Sequence, residues 1–176
     1  MIFVTIGTSE PFDRLLQALE GAVTEEPLLI QRGASSACPP GATAVDFLPF
    51  DDFIEHLRRA RVVVMHAGVG SVLAAISVGK RPVVVARRWR FGEAVDDHQL
   101  AFARRMHETG RVVHVDDLSR LPEAIAPSAP FASGHSRSAR APDPLPSTEG
   151  ALARDIRAFL RAEIPLVTVE APMEAT

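Results

Sequence analysis

Tyrosine is absent from this chain of 176 residues, and tryptophan occurs once, at Trp89. That argues against a sugar platform built from several stacked aromatics. Cysteine also occurs once, at Cys38, which excludes an internal disulfide framework and any cysteine-based zinc site. Uninterrupted apolar runs reach only about six residues, far short of the roughly 20 that span a bilayer. The opening MIFVTIGTSEPF lacks both the basic stretch and the long apolar stretch of a signal peptide. Basic residues do not outnumber acidic ones, and the net charge is -3. This is not the strongly basic balance of an ordinary nucleic-acid binder. What remains is an apolar content of 47%, enough for a core of normal size in one domain. The expectation is a soluble cytoplasmic protein.

Residues 1–126 read as one α/β domain, whose first 115 residues alternate between short β-rich runs and helical patterns. Ile2 to Ile6, Leu28 to Ile30, Thr43 to Leu48, Arg61 to His66, Pro82 to Ala86 and Arg111 to Val115 read as strands. Phe12, Leu15, Leu16, Leu19 and Val23 recur at helical spacing. Phe53, Ile54 and Leu57 mark a short helix with Asp51 as its predicted N-cap. A third helix follows the glycines after His66 and ends at Gly79, and a fourth runs from about Asp97 to Thr109, closed by Gly110. Strands alternating with helices of this length predict an α/β fold: a Rossmann-like parallel sheet with helices on both faces. Residues 127–148 are dominated by Pro, Ser and Ala and read as a flexible linker. Leu152, Ile156, Phe159 and Leu160 predict an amphipathic helix over 149–162 that docks back onto the domain, and 163–176 reads as a tail.

Ligands of an open parallel sheet bind beyond the carboxyl ends of its strands. Three loops fall there. The first, His66-Ala67-Gly68-Val69-Gly70-Ser71, joins a strand to a helix. Its glycines let a phosphate approach the backbone, the helix N-terminus offers unpaired N–H groups, and His66 and Ser71 add donors. The same residues also read as a tight turn with a capping serine and a buried histidine. Leu73 stands where a dinucleotide fingerprint needs a third glycine, and there is no Walker A loop. The second, Gly7-Thr8-Ser9, reads either as phosphate-binding or as an N-cap ahead of Pro11. The third carries Arg87, Arg88 and Arg90 around Trp89, then Glu93, Asp97, His98 and Gln99. Asp97, His98 and Gln99 suit vicinal hydroxyls, although Asp97 also reads as an N-cap and Gln99 as solvent-exposed. The arginines suit a pyrophosphate or a carboxylate, or form a solvated basic patch. No HExxH, EF-hand or G-x-S-x-G pattern occurs, so neither a metal site nor a serine hydrolase is expected.

Three segments together carry a family resemblance. They are the strand followed by Gly7-Thr8-x-x-Pro11-Phe12-x-Arg14-Leu15, the run His66-Ala67-Gly68-x-Gly70-Ser71, and Gly92-Glu93-x-x-Asp96-Asp97-His98-Gln99. In this order they resemble the C-terminal half of GT-B glycosyltransferases of the MurG type, glycosyltransferase family 28. Small stand-alone versions are particularly similar: the catalytic subunit of the dolichol-linked N-acetylglucosamine transferase, and bacterial exopolysaccharide subunits of the PssE and EpsF type. The resemblance covers about residues 1–115.

The resemblance implies a single GT-B half-domain with a nucleotide-sugar donor site. His66, Gly68, Gly70 and Ser71 match the diphosphate loop, and Gly7, Thr8 and Ser9 match the first loop of the donor cleft. Asp97, His98 and Gln99 match the segment that contacts donor-sugar hydroxyls, with Arg87, Arg88 and Glu93 as further candidates. Ala74 departs from the family, which often carries there an acidic residue that holds the ribose. Also implied are a UDP-sugar as substrate, inverting chemistry without a metal or cofactor, and a role in polysaccharide biosynthesis. A membrane-anchored partner subunit would bind a polyprenyl-diphosphate-linked sugar acceptor, supply the catalytic base and hold this chain at the inner face of the cell membrane. UDP-glucuronate is the donor that the Arg87, Arg88 and Arg90 cluster favours. Two rivals stand beside this reading: a non-catalytic nucleotide-binding subunit of such a complex, and a small module for a dinucleotide or flavin.

Overall fold

A computed structural model describes residues 1–22 and 26–126. The expected linker (127–148), helix (149–162) and tail (163–176) lie outside the described residues, as does Val23 of the first helical stripe.

Six strands form one sheet: β1 (Ile2–Thr5), β2 (Leu28–Gln31), β3 (Thr43–Val45), β4 (Val62–His66), β5 (Val83–Val85) and β6 (Val113–His114). Their order is β3-β2-β1-β4-β5-β6, and every pairing is parallel. This is the doubly wound order, in which the chain turns outward in opposite directions from β1 and β4. The two central strands are buried along their whole length, because helices cover both faces.

The helices among the described residues are α1 (Asp13–Glu20), α2 (Phe50–Arg59), α3 (Val69–Ser77), α4 (His98–Glu108) and α5 (Leu121–Ile125). On one face, Leu15, Leu16 and Leu19 of α1 and Leu121 and Ile125 of α5 pack with Ile2, Val4 and Ile6. On the other, the Phe53 ring of α2 meets Phe3 edge-on at 5.8 Å. Alternate residues of β1 therefore feed opposite faces, as strand pleating requires.

Several local expectations are corrected. Strands β3 and β6 are shorter than predicted; at β3, Asp46 leaves the ladder to pair with Arg32 at 2.7 Å and Phe47 faces solvent. Pro49, not Asp51, caps α2, and Asp51 sits inside the first turn, where its charge favours the helix dipole. Ser9 caps nothing: Phe12 holds the cap position of α1, and the Phe12 N–H donates to Ser35 Oγ at 2.7 Å. Asp97 occupies the cap position of α4, but its carboxylate does not bond to that helix. The sequence reading had no counterpart for the 3-10 turn Leu118–Arg120 and α5, whose Leu121 is fully buried.

Candidate functional site

The loops after β1, β4 and β5 meet at the carboxyl rim, where the chain diverges between β1 and β4. Gly7 leaves β1 with φ +80°, a left-handed conformation that only glycine adopts without strain. Thr8 and Ser9 follow, exposed. His66 ends β4 and is buried, with only 8% of its surface exposed. Its imidazole lies between two glycines. A Cβ on Gly68 would come within 2.1 Å of His66 Nε2, and one on Gly7 within 3.0 Å of Cε1. Gly68 therefore makes room for the histidine of its own loop, a role the phosphate argument did not supply.

Gly70 differs. An added Cβ there would meet nothing within 4 Å, so this face of the first turn of α3 is open. Gly68 is the cap residue, and Val69, Gly70 and Ser71 begin the helix. Their N–H groups have no acceptor within the helix. Ser71 makes no side-chain cap bond, so the capping-serine reading fails.

Burial pushes the His66 pKa down to about 4, and the nearby Arg87 guanidinium acts in the same direction; the Thr5 backbone opposes both. His66 is therefore neutral at pH 7 and offers a hydrogen bond rather than a charge.

The third loop is folded back on itself. Three consecutive backbone N–H groups each donate to a downstream side chain: Arg87 to Gln99 Oε1 at 3.3 Å, Arg88 to Glu93 Oε2 at 3.0 Å, and Trp89 to Asp97 Oδ1 at 2.9 Å. Between them lies a 3-10 turn, Trp89–Phe91, closed by Gly92. His98 is exposed, and the Asp96 carboxylate meets both its ring and its backbone N–H, which holds Asp96 below the usual carboxylate pKa. Gln99 is buried, against the solvent-exposed alternative.

The arginines do not form a basic patch facing a ligand. Arg87 is buried, and its Nη2 donates to the carbonyls of Ile6, at 2.6 Å, and Glu10. Arg88 Nη1 pairs with Asp116 at 2.8 Å, and its Nε lies 3.5 Å from Asp97. Only Arg90 of the three is exposed, stacked over Phe91 at 4.6 Å. The case for a glucuronate donor drawn from this cluster falls with that arrangement. Glu93 likewise faces protein: Arg14 grips its carboxylate in a bidentate pair, at 2.7 and 2.8 Å. Arg14 lay inside a quoted motif, but nothing in its spacing singled it out.

A family profile described as the glycosyltransferase family 28 C-terminal domain matches residues 1–143. The chain belongs to that family. Within family 28, it is 31% identical over 127 residues to the UDP-N-acetylglucosamine transferase subunit ALG13 of Homo sapiens, covering 64% of this chain and 11% of that protein. The protein of the same description from Yarrowia lipolytica is 41% identical over 56 residues, 32% of this chain and 26% of its own length. The chain thus spans about a tenth to a quarter of the curated relatives it matches. Among solved structures, CalG4, the calicheamicin glycosyltransferase, aligns with a TM-score of 0.57 at 21% identity, over 93% of this chain and 44% of that one. The glycotransferase of kitacinnamycin aligns with a TM-score of 0.54 at 21% identity, over 90% of this chain and 39% of that one. These two likenesses are of fold, and they agree with the Rossmann-like GT-B half-domain expected from the motifs.

Proposed function

We propose that this family 28 chain is the donor-binding half of an inverting UDP-sugar glycosyltransferase. A second, membrane-anchored subunit would hold a polyprenyl-diphosphate-linked sugar and supply the base that deprotonates its hydroxyl. Together the two would serve polysaccharide biosynthesis at the inner face of the cell membrane. The observation that carries this reading is the open first turn of α3 at the divergence of β1 and β4, with Gly70 bare toward solvent. A diphosphate seated there meets helix N–H groups and the positive end of the helix dipole. Neutral His66 adds a hydrogen bond, and the buried Arg87 adds positive potential. The Gly7, Thr8 and Ser9 loop forms the facing wall, and Asp97, His98 and Gln99 form the sugar side. The mechanism calls for no metal or cofactor, since the dipole and Arg87 offset the leaving diphosphate.

The described residues build a single Rossmann-like sheet, which in this reading is the donor half. The naming of the curated relatives as subunits supports a separate partner. One feature favours the non-catalytic alternative: Ala74, on α3, offers no carboxylate to a ribose.

Calorimetry with UDP tests the donor site. Binding is expected, and excess EDTA should leave the affinity unchanged. A protein that ignores UDP, or binds it only with added Mg²⁺ or Mn²⁺, refutes the reading. Sugar transfer on adding the partner separates the catalytic form from the binding-only form.

A further inference from the structure

We propose that Arg14 and Glu93 are positioning residues, forming a clasp that holds the 97–99 segment in register with the glycine loops. This rests on the donor-site reading above only for what the segment serves; the clasp itself stands on geometry.

Arg14 lies in the first turn of α1, directly after the β1 loop. Its Nε and Nη2 each donate to one oxygen of Glu93, and Nη2 also reaches the Ala86 carbonyl at 3.1 Å, at the end of β5. The guanidinium further lies 4.6 Å from the Phe91 ring centroid and 5.3 Å from that of Phe12. One side chain thus touches the residue that follows β5, the 3-10 turn and the base of α1. The Glu93 side chain is only 9% exposed, and that of Arg14 25%. A fork-to-fork pair in such a setting fixes orientation as well as distance.

Glu93 also closes a ring within its own loop. Its Oε2 accepts the Arg88 N–H, while its own N–H donates to the Arg88 carbonyl at 3.3 Å. The neighbouring N–H groups of Arg87 and Trp89 go to Gln99 and Asp97. The place of the 97–99 segment is therefore set by where residues 87–89 sit. Residues 87–89 are in turn tied to the two ends of the first loop through Arg87, which reaches Ile6 and Glu10, and to α1, which follows that loop, through Glu93 and Arg14. The second tie is the one made by an ion pair between side chains, and so the one a neutral isostere can release without removing bulk.

The test uses the full chain carrying Glu93→Gln, Arg14→Met, the double variant Arg14→Met/Glu93→Gln, and Arg14→Lys. Amide hydrogen exchange is read at Arg88 and Trp89, together with the anisotropy of Trp89, the chain's one tryptophan. In Glu93→Gln, both amides should exchange roughly tenfold faster and the anisotropy should fall, while amides of β1 and β4 keep their protection. Arg14→Lys, which keeps the charge but loses the fork, should fall between wild type and Glu93→Gln. The double variant should be no worse than the poorer single, because the two residues act as a unit. UDP affinity should stay within about twofold, while the preference between UDP-N-acetylglucosamine and UDP shifts by more than about threefold. Unchanged exchange at Arg88 and Trp89 overturns the clasp. Equal losses for UDP and the UDP-sugar overturn its role in positioning and leave it a fold contact. A wild-type protein that binds neither nucleotide sinks the donor-site reading instead, and the exchange data still decide whether the clasp holds the loop.

Discussion

Alanine at Gly68 and alanine at Gly70 are expected to shift stability in opposite directions, although the two glycines are two residues apart in one loop. Gly68 has φ -74° and ψ 126°, which any residue adopts, so alanine brings no backbone strain. Its cost is purely steric. The three atoms nearest the added Cβ all belong to the His66 imidazole, at 2.1, 2.9 and 2.9 Å. The ring has little room to retreat, because it is buried and even a Cβ on Gly7 would stand only 3.0 Å from its Cε1. Overpacking a buried site costs about 1–3 kcal/mol, and in a domain of this size that lowers Tm by roughly 4–12 °C. Gly70 lies in the first turn of α3 with open space around it. Alanine there raises helix propensity and should stabilise the free protein by up to about 1 kcal/mol. In the proposed donor site its methyl group would stand in the path of the diphosphate, so UDP affinity should fall. Urea denaturation reads the first quantity, and calorimetry with UDP the second. A His66→Ala background supplies a control: with the ring gone, Gly68→Ala should cost almost nothing further. A Gly68→Ala protein as stable as wild type, or one equally damaged with and without His66, would refute the reasoning.

Acid should weaken the fold through His66. Its folded pKa of about 4 lies below the 6.5 of an ordinary histidine, so the unfolded chain takes up the proton first. The stability involved is intact above 6.5 and is lost as pH falls toward 4, by about 3 kcal/mol in all. The stability difference between wild type and His66→Gln should shrink by about 2 kcal/mol from pH 7 to pH 5, and a constant difference would contradict the assignment. Leu121→Ala, at a fully buried position of α5, should cost about 2–5 kcal/mol in chemical denaturation, and a loss of a few tenths would show that α5 is not part of the core.

The strands were legible because burial on both faces forces continuous runs such as Val62 to Met65, which no amphipathic helix shows. The rim loops were legible for a related reason: glycines that interrupt such runs mark where the chain leaves the sheet. What escaped were features that depend on neighbours distant in sequence. The N–H of Phe12 is taken by Ser35, 23 residues away, whereas the sequence offered a cap in Gly7-Thr8-Ser9, ahead of Pro11. Helix α5 has five residues with a proline at its start, too short for periodicity to register. The charged residues of the third loop were the hardest. Arg88 and Glu93 look solvent-facing in one dimension, and their partners Asp116 and Arg14 lie 28 and 79 residues away. Only the order of the strands brings those partners within reach.

That order also has a consequence for how the molecule assembles. Within the sheet, β2 and β3 pair residues 14 apart, β4 and β5 pair residues 19 apart, and β5 and β6 pair residues 30 apart. The joint between β1 and β4 is different: Ile2 pairs with Val62, sixty residues later. Each half of the sheet can zip from shorter-range pieces, but their union demands the largest loop closure and should come late. The candidate cleft lies on that seam, with one wall contributed by each half. A chain that has formed both halves without joining them would show much of its secondary structure and yet no nucleotide site. Acquisition of ligand binding would then time the last step of refolding, and a ligand present from the start would act on that step alone, by trapping the joined form.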